Sequence, residues 1–170
     1  MTKPPKLGIY VDDSNLFYAA KEAGWKVDHK KLLRYVRTRG ELMSANYFMG
    51  MPPWEPAKTT NEALASYFGK IGYSVHTKPL KKIRDDTDPK GFKNKCNFDV
   101  EIANLINDEL PDLDKVIICS GDSDFISVRD RVLARDKAFE FYTYDCAAAW
   151  EIRLSKHTIL DKIRDEIERV

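Results

Sequence analysis

The chain has 170 residues, 43% of them hydrophobic, enough for one full core and too little for two comfortable domains. Its 28 basic and 27 acidic side chains leave a formal charge of +1, so a global field that draws in nucleic acid is excluded and any such affinity must come from a local patch. Cys96, Cys119 and Cys146 show no CxxC spacing, the amino terminus lacks the apolar stretch of a signal peptide, and no run approaches the roughly 18 apolar residues that span a bilayer. These features predict a reduced, soluble, cytoplasmic protein with one domain over 1–170.

Leu7 to Val11 is a short apolar run rich in β-formers, and Asn15 to Ala23 follows as a helix with Leu16, Ala19, Ala20 and Ala23 on one stripe. Asp28 or His29 starts a second helix, ended near Gly40, in which Leu32, Leu33 and Val36 recur at helical spacing. Ser44 to Met49 reads as a strand and the proline-rich stretch from Gly50 to Pro56 as a loop. Ala63, Leu64, Tyr67, Phe68 and Ile71 then mark a helix stopped by Gly72, and Tyr73 to Pro79 a third strand. Lys81 to Lys95 has little apolar content and reads as a long exposed excursion. Helix from Phe98 to Leu110, strand from Lys115 to Ser120, helix from Asp124 to Ala134 and strand from Phe139 to Tyr144 follow, and Ile159, Ile163 and Ile167 predict a closing surface helix from Thr158.

Repeated alternation of strand and helix predicts an α/β fold: a three-layer α/β/α Rossmann-like domain with a mainly parallel central sheet, binding its ligand at the carboxyl edge of the strands. Asp12 follows the first strand, Asp122 and Asp124 sit in the turn Ser120-Gly-Asp-Ser-Asp124 after a later one, and Asp99 opens a helix. Each acid has a plain structural job open to it, as a helix cap, a turn residue or a complement to a helix dipole. Gathered together, though, carboxylates repel unless a cation binds or some of them hold protons. Oxygen ligands of this kind suit Mg2+ or Mn2+, which makes a metal-dependent nuclease the leading reading. Asn15 and Ser120 are placed to steady a carboxylate, and Asp145, after the strand ending at Tyr144, is an acid in reserve.

Three stretches sharpen this reading: Ile9-Tyr-Val-Asp-Asp-Ser-Asn15, Asn97-Phe-Asp-Val-Glu-Ile102 and Ile118-Cys-Ser-Gly-Asp-Ser-Asp-Phe125. Together they resemble the NYN domain family of the LabA type, within the PIN-like nuclease superfamily, with Ser-Gly-Asp-Ser-Asp-Phe the most specific element. The resemblance implies a Rossmann-like sheet, Mg2+- or Mn2+-dependent ribonuclease activity, metal-ligand roles for Asp12, Asp99, Asp122 and Asp124, and a supporting role for Asn15. The chain departs from the family pattern where Lys-Gly-Val-Asp is often followed six residues later by a second Asp. Here the stretch is Cys96-Asn-Phe-Asp99 and the later position is Leu105, a loss that bears on a second metal ion more than on the first.

The excursion and its approach carry Lys78, Lys81, Lys82, Arg84, Lys90, Lys93 and Lys95 against Asp85, Asp86 and Asp88. Lys78, Lys81, Lys82, Lys93 and Lys95 are the candidates to hold an RNA backbone beside the acids, with Phe92, Tyr18 and Trp54 offering stacking surfaces for unpaired bases. A charged loop that is merely solvated is the competing reading. Trp25 and Trp150 fall in helical surroundings, which places them in the core or a groove wall. His29, His76 and His157 lack metal-ligand spacing, and neither GxGxxG nor GxxxxGK[ST] occurs. Two alternatives stay open: an RNA-binding or regulatory module of the same fold that does not cleave, and a homodimer joined through the closing helix or the Trp54 loop. An aspartyl-phosphate phosphatase is disfavoured, because Asp12-Asp-Ser-Asn15 lacks the Asp-x-Asp that chemistry requires.

Overall fold

The computed structural model describes residues 3–87 and 89–170, so the loop acid Asp88 lies outside the described residues. In chain order the elements are β1 (Lys6–Asp12), α1 (Asp13–Ala23), α2 (His29–Arg37), β2 (Glu41–Met51), α3 (Ala57–Ile71), β3 (Ser74–Pro79), β4 (Lys81–Arg84), β5 (Phe92–Lys95), α4 (Asp99–Glu109), β6 (Lys115–Cys119), α5 (Ile126–Leu133), β7 (Ala138–Thr143), α6 (Trp150–Arg153), β8 (His157–Ile159) and α7 (Arg164–Ile167). Six strands form one sheet in the order β3-β2-β1-β6-β7-β8, and all of its pairings are parallel.

Strand side chains alternate between two cores because successive residues point to opposite faces. Ile9 and Val11 of β1 join Ile117 and Cys119 of β6 on one face, under α1, α2, α3 and α7. Tyr10, Val116 and Ile118 point the other way, against Ile102 and Ile106 of α4, Val128 and Val132 of α5 and Ile152 of α6. Burial on both faces explains why these strands read as unbroken apolar runs. The chain runs outward from β1 to β3, then returns to β6 on the opposite side of β1. The β1 and β6 carboxyl ends therefore flank the switch point, where open α/β sheets leave a crevice.

Local chemistry sets the helix ends. Asp28 caps α2 by accepting from the Lys30 and Lys31 N–H groups, and Gly24 ends α1 in the left-handed conformation.

Three stretches differ from the sequence-based expectation. The excursion is ordered into an antiparallel hairpin, β4 with β5, outside the main sheet. The closing helix is a sixth strand, β8, followed by a 3-10 turn at Leu160–Ile163 and the four-residue α7. Ile159 and Ile167 are buried and Ile163 packs on the same core, so the spacing marked a buried face while β-branched Thr158 and Ile159 paired with β7. Trp150 stands exposed at the start of α6 instead of in the core; Trp25 is buried.

Candidate metal centre and nucleic-acid interface

β1 hands its last residue directly to α1, so Asp12 is both a strand end and a helix N-cap at the switch point. Its carboxylate accepts from the Asn15 N–H at 3.4 Å and from the Ser120 hydroxyl at 3.2 Å. Ser120, fully buried just past β6, also accepts from the Asp122 N–H. Asn15 reaches across with its side-chain oxygen to accept from the Gly121 N–H at 2.8 Å. These bonds lock the β1 and β6 ends together. Gly121 is required here, since a Cβ at this position would stand 2.0 Å from the Ala147 carbonyl oxygen.

The turn after β6 is a 3-10 helix, Ser123–Phe125, capped by the Asp122 side chain accepting from the Asp124 N–H. On the far side, Asp99 begins α4. Asn97 clasps it twice, donating its amide to the Asp99 carboxylate at 2.7 Å and accepting from the Asp99 N–H. Asn97 escapes a search for acids, although its position two residues before an Asp at a helix start is an Asx-turn signal.

Asp12 and Asp99 respond to burial and to neighbouring acids. Burial pushes the Asp12 carboxyl up to about 6, opposed by the Asn15 and Ser120 donors and assisted by repulsion from Asp99 and Asp13. Burial likewise raises the Asp99 carboxyl, with Asp122 and Asp124 adding to the rise while Asn97 and Lys95 oppose it. Asp12, Asp99, Asp122 and Asp124 thus occupy one electrostatic neighbourhood. Asp13, also raised by burial, turns instead to the first core face, where its carboxylate accepts from the Tyr47 hydroxyl at 2.5 Å. Asp145 forms an ion pair with Arg153 at 2.9 Å, and its backbone N–H donates to the Asp161 carboxylate.

Among the described residues no three His, Cys, Asp or Glu side chains form a ready-made metal cage. The donor set nevertheless fits Mg2+ or Mn2+: it is all hard oxygen, and such ions commonly bind one or two carboxylates while keeping several waters. Protein donors at Asp12, Asp99 and Asp122 leave lone pairs free, because a carboxylate offers about four acceptor sites.

The lysines do not form a single surface. Lys81 lies opposite Lys95 and Ile83 opposite Lys93, placing Lys81, Lys93 and Lys95 on one hairpin face. Like charges directly opposed across strands destabilise a pair unless an anion comes between them. The Lys95 charge is felt at the acids, where it opposes the rise of the Asp99 carboxyl. Lys82 points the other way, over the rings of Phe92 at 4.6 Å and Trp54 at 5.6 Å. Lys78 pairs with Glu101 at 2.5 Å and lies over Phe98.

No helix among the described residues is long and apolar enough to cross a membrane. A family model for the NYN domain matches residues 6–161. The chain is similar to the Low amplitude and bright protein LabA of Synechococcus elongatus, at 29% identity covering 98% of this chain and 90% of that protein. Its fold is similar to that of a Vibrio parahaemolyticus protein of unknown function, with a TM-score of 0.78, 23% identity and 99% of each chain covered. NYN and other PIN-like domains are generally nucleases that bind nucleic acid and typically use divalent metals. With the match running through nearly all of both sheet halves and every acid of the cluster, the chain belongs to the NYN domain family.

Proposed function

We propose that the protein is a divalent-cation-dependent ribonuclease, with Asp12 and Asp122 as the central metal ligands and Asp99 and Asp124 completing the site. The observation that carries this reading is the meeting of carboxylates from β1, α4 and the turn after β6 at the switch point of the sheet, where Asp99 adds to the rise of the Asp12 carboxyl and Asp122 and Asp124 add to that of Asp99. Burial and neighbouring carboxylates raise the cost of ionising Asp12 and Asp99, and a bound cation would remove that cost. A bound Mg2+ or Mn2+ would neutralise phosphate charge and make a coordinated water acidic enough to attack.

The chain's own groups supply position. Asn15 and Ser120 fix the gap between β1 and β6, and Asn97 orients Asp99. Lys81, Lys93 and Lys95 on the hairpin supply the positive rim that draws the RNA backbone toward the acids. Lys78 and Lys82, engaged with Glu101 and with aromatic rings, contribute from the edges.

Cleavage of labelled single-stranded and structured RNA, with Mg2+, Mn2+ or chelator, tests the reading. Wild type should cut only with a divalent ion, and Asp12→Asn and Asp122→Asn should each lose roughly 100-fold or more. Equal cutting by all three proteins, or cutting that survives chelation, would reject it. RNA binding without turnover would favour a binding module in which apolar Leu105 stands where the family often carries an acid.

A further inference from the structure

Beside the acids, between the edge strand β3 and helix α4, lies a cavity of about 370 Å³ whose walls include Phe48, His76, Lys78, Phe98, Glu101 and Leu105. Phe98, Glu101 and Leu105 fall at i, i+3 and i+7, so they form one stripe of α4. Asp99 begins the same helix one residue after Phe98, about 100° around its axis. The cavity and the acid group therefore share α4 as a common wall.

The polar chemistry of the cavity is set from beneath. The Glu109 carboxylate accepts from the hydroxyls of Tyr10 and Ser44, the latter at 2.7 Å. Ser44, its proton given to Glu109, accepts from the Asn46 amide at 2.7 Å, and the same amide nitrogen lies 3.5 Å from Glu109. That chain fixes which way Asn46 faces: its oxygen is left for His76 Nε2 at 2.9 Å, so Nε2 carries the hydrogen. Burial lowers the His76 pKa, against the pull of Glu109, which keeps the ring neutral at pH 7. Nδ1 is then a bare acceptor. No buried side-chain nitrogen or oxygen among the described residues lacks a partner, so Nδ1, which has no hydrogen-bond partner among the described residues, is open to solvent. The imidazole is held flat against Phe48, with centroids 4.5 Å apart and planes at 13°.

We propose that this cavity is a subsite for one unpaired nucleobase of the substrate strand. It extends the ribonuclease reading by naming where a base next to the bound phosphate is held. His76, backed by the buried Phe48, and Leu105 offer the partly exposed surface for a flat heterocycle, and the Nδ1 acceptor takes a ring or exocyclic N–H. Lys78, which lines the cavity with its ammonium over Phe98 and paired with Glu101, is the cation available to the attached phosphate. The volume is at the small end for ligand sites, which suits a single base and excludes a duplex.

The test is made in chelator, so that it needs no turnover. Wild type is titrated with AMP, CMP, GMP, UMP and, as a base-free control, ribose 5-phosphate, reading His76 imidazole resonances and saturation transfer to the ligand. At least one nucleotide should shift the His76 signals to saturation, and ribose 5-phosphate should leave them in place. Leu105→Trp, which fills the cavity, should abolish nucleotide binding, and His76→Phe, which keeps the ring against Phe48, should weaken it roughly tenfold. Circular dichroism confirms that both variants are folded; if Leu105→Trp is not, His76→Phe decides alone. An equal response to ribose 5-phosphate, no response to any nucleotide, or unchanged binding in the folded variants would overturn the subsite. Nucleotide binding in a protein that never cuts RNA would overturn the ribonuclease reading and leave the subsite standing, whereas cutting without any nucleotide response would do the reverse.

Discussion

Asp12 is where the cost of the site is concentrated. Folding takes a carboxyl that ionises near 3.8 in an open chain and moves it to about 6, chiefly by burial. The folded state then holds its proton more tightly than the unfolded state, so stability is lost as pH rises from about 4 to 6 and stays lost above that range. Asp12→Asn removes the titration. In chelator it should stabilise the protein by about 1 to 2 kcal/mol at pH 8 and by nearly nothing at pH 3.5, as read by denaturant unfolding at the two pH values. A variant less stable than wild type at pH 8 would show that the Asn15 and Ser120 hydrogen bonds outweigh desolvation. The residue's position was legible in the sequence as a strand followed at once by Asp; its burial was not, because that depends on Ser120, which is 108 residues away.

At the scale of elements, the hairpin is the part the sequence concealed. Lys81-Lys-Ile-Arg84 and Phe92-Lys-Asn-Lys95 lack the alternation that marks a half-buried strand, since neither face of the hairpin joins a core. Ordering it divides the lysines by face, which composition alone cannot do. The division predicts that Lys81, Lys93 and Lys95 changed together to Gln will weaken binding to single-stranded RNA and reduce the salt slope of log K by about 2, while Lys82→Gln reduces it by less than the ~0.7 of one full phosphate contact. Binding isotherms over a range of salt concentrations check this; equal slope changes for the two sets would mean that the faces do not differ. β8 escaped notice for a related reason. Three residues are too few to establish a period, and the isoleucines at 159, 163 and 167 satisfied a helical one. By contrast, β1 and β6, buried on both faces, announced themselves as unbroken apolar runs.

For the whole molecule, near-neutral charge means that function depends on where charges are placed and not on their sum. The parallel sheet brings β1 and β6 together at its switch point, α4 adds Asp99 from one side, and the hairpin between β3 and α4 adds Lys95 beside it. The acids could be read as one group from the alternation of strands and helices, because that alternation dictates a shared carboxyl edge. The cavity at β3 could not: its hydrogen-bond chain joins residues 10, 44, 46, 76 and 109, whose meeting depends on strand order. The central claim is that four carboxylates from separate segments act as one cation site. Calorimetric titration of Mn2+ into wild type and into Asp12→Asn, Asp99→Asn, Asp122→Asn and Asp124→Asn tests it directly. Saturable binding in wild type, lost with Asp12→Asn and Asp122→Asn and weakened by roughly tenfold or more with the other two, is the predicted result. Binding that is absent from wild type, or equal in all five proteins, would contradict it.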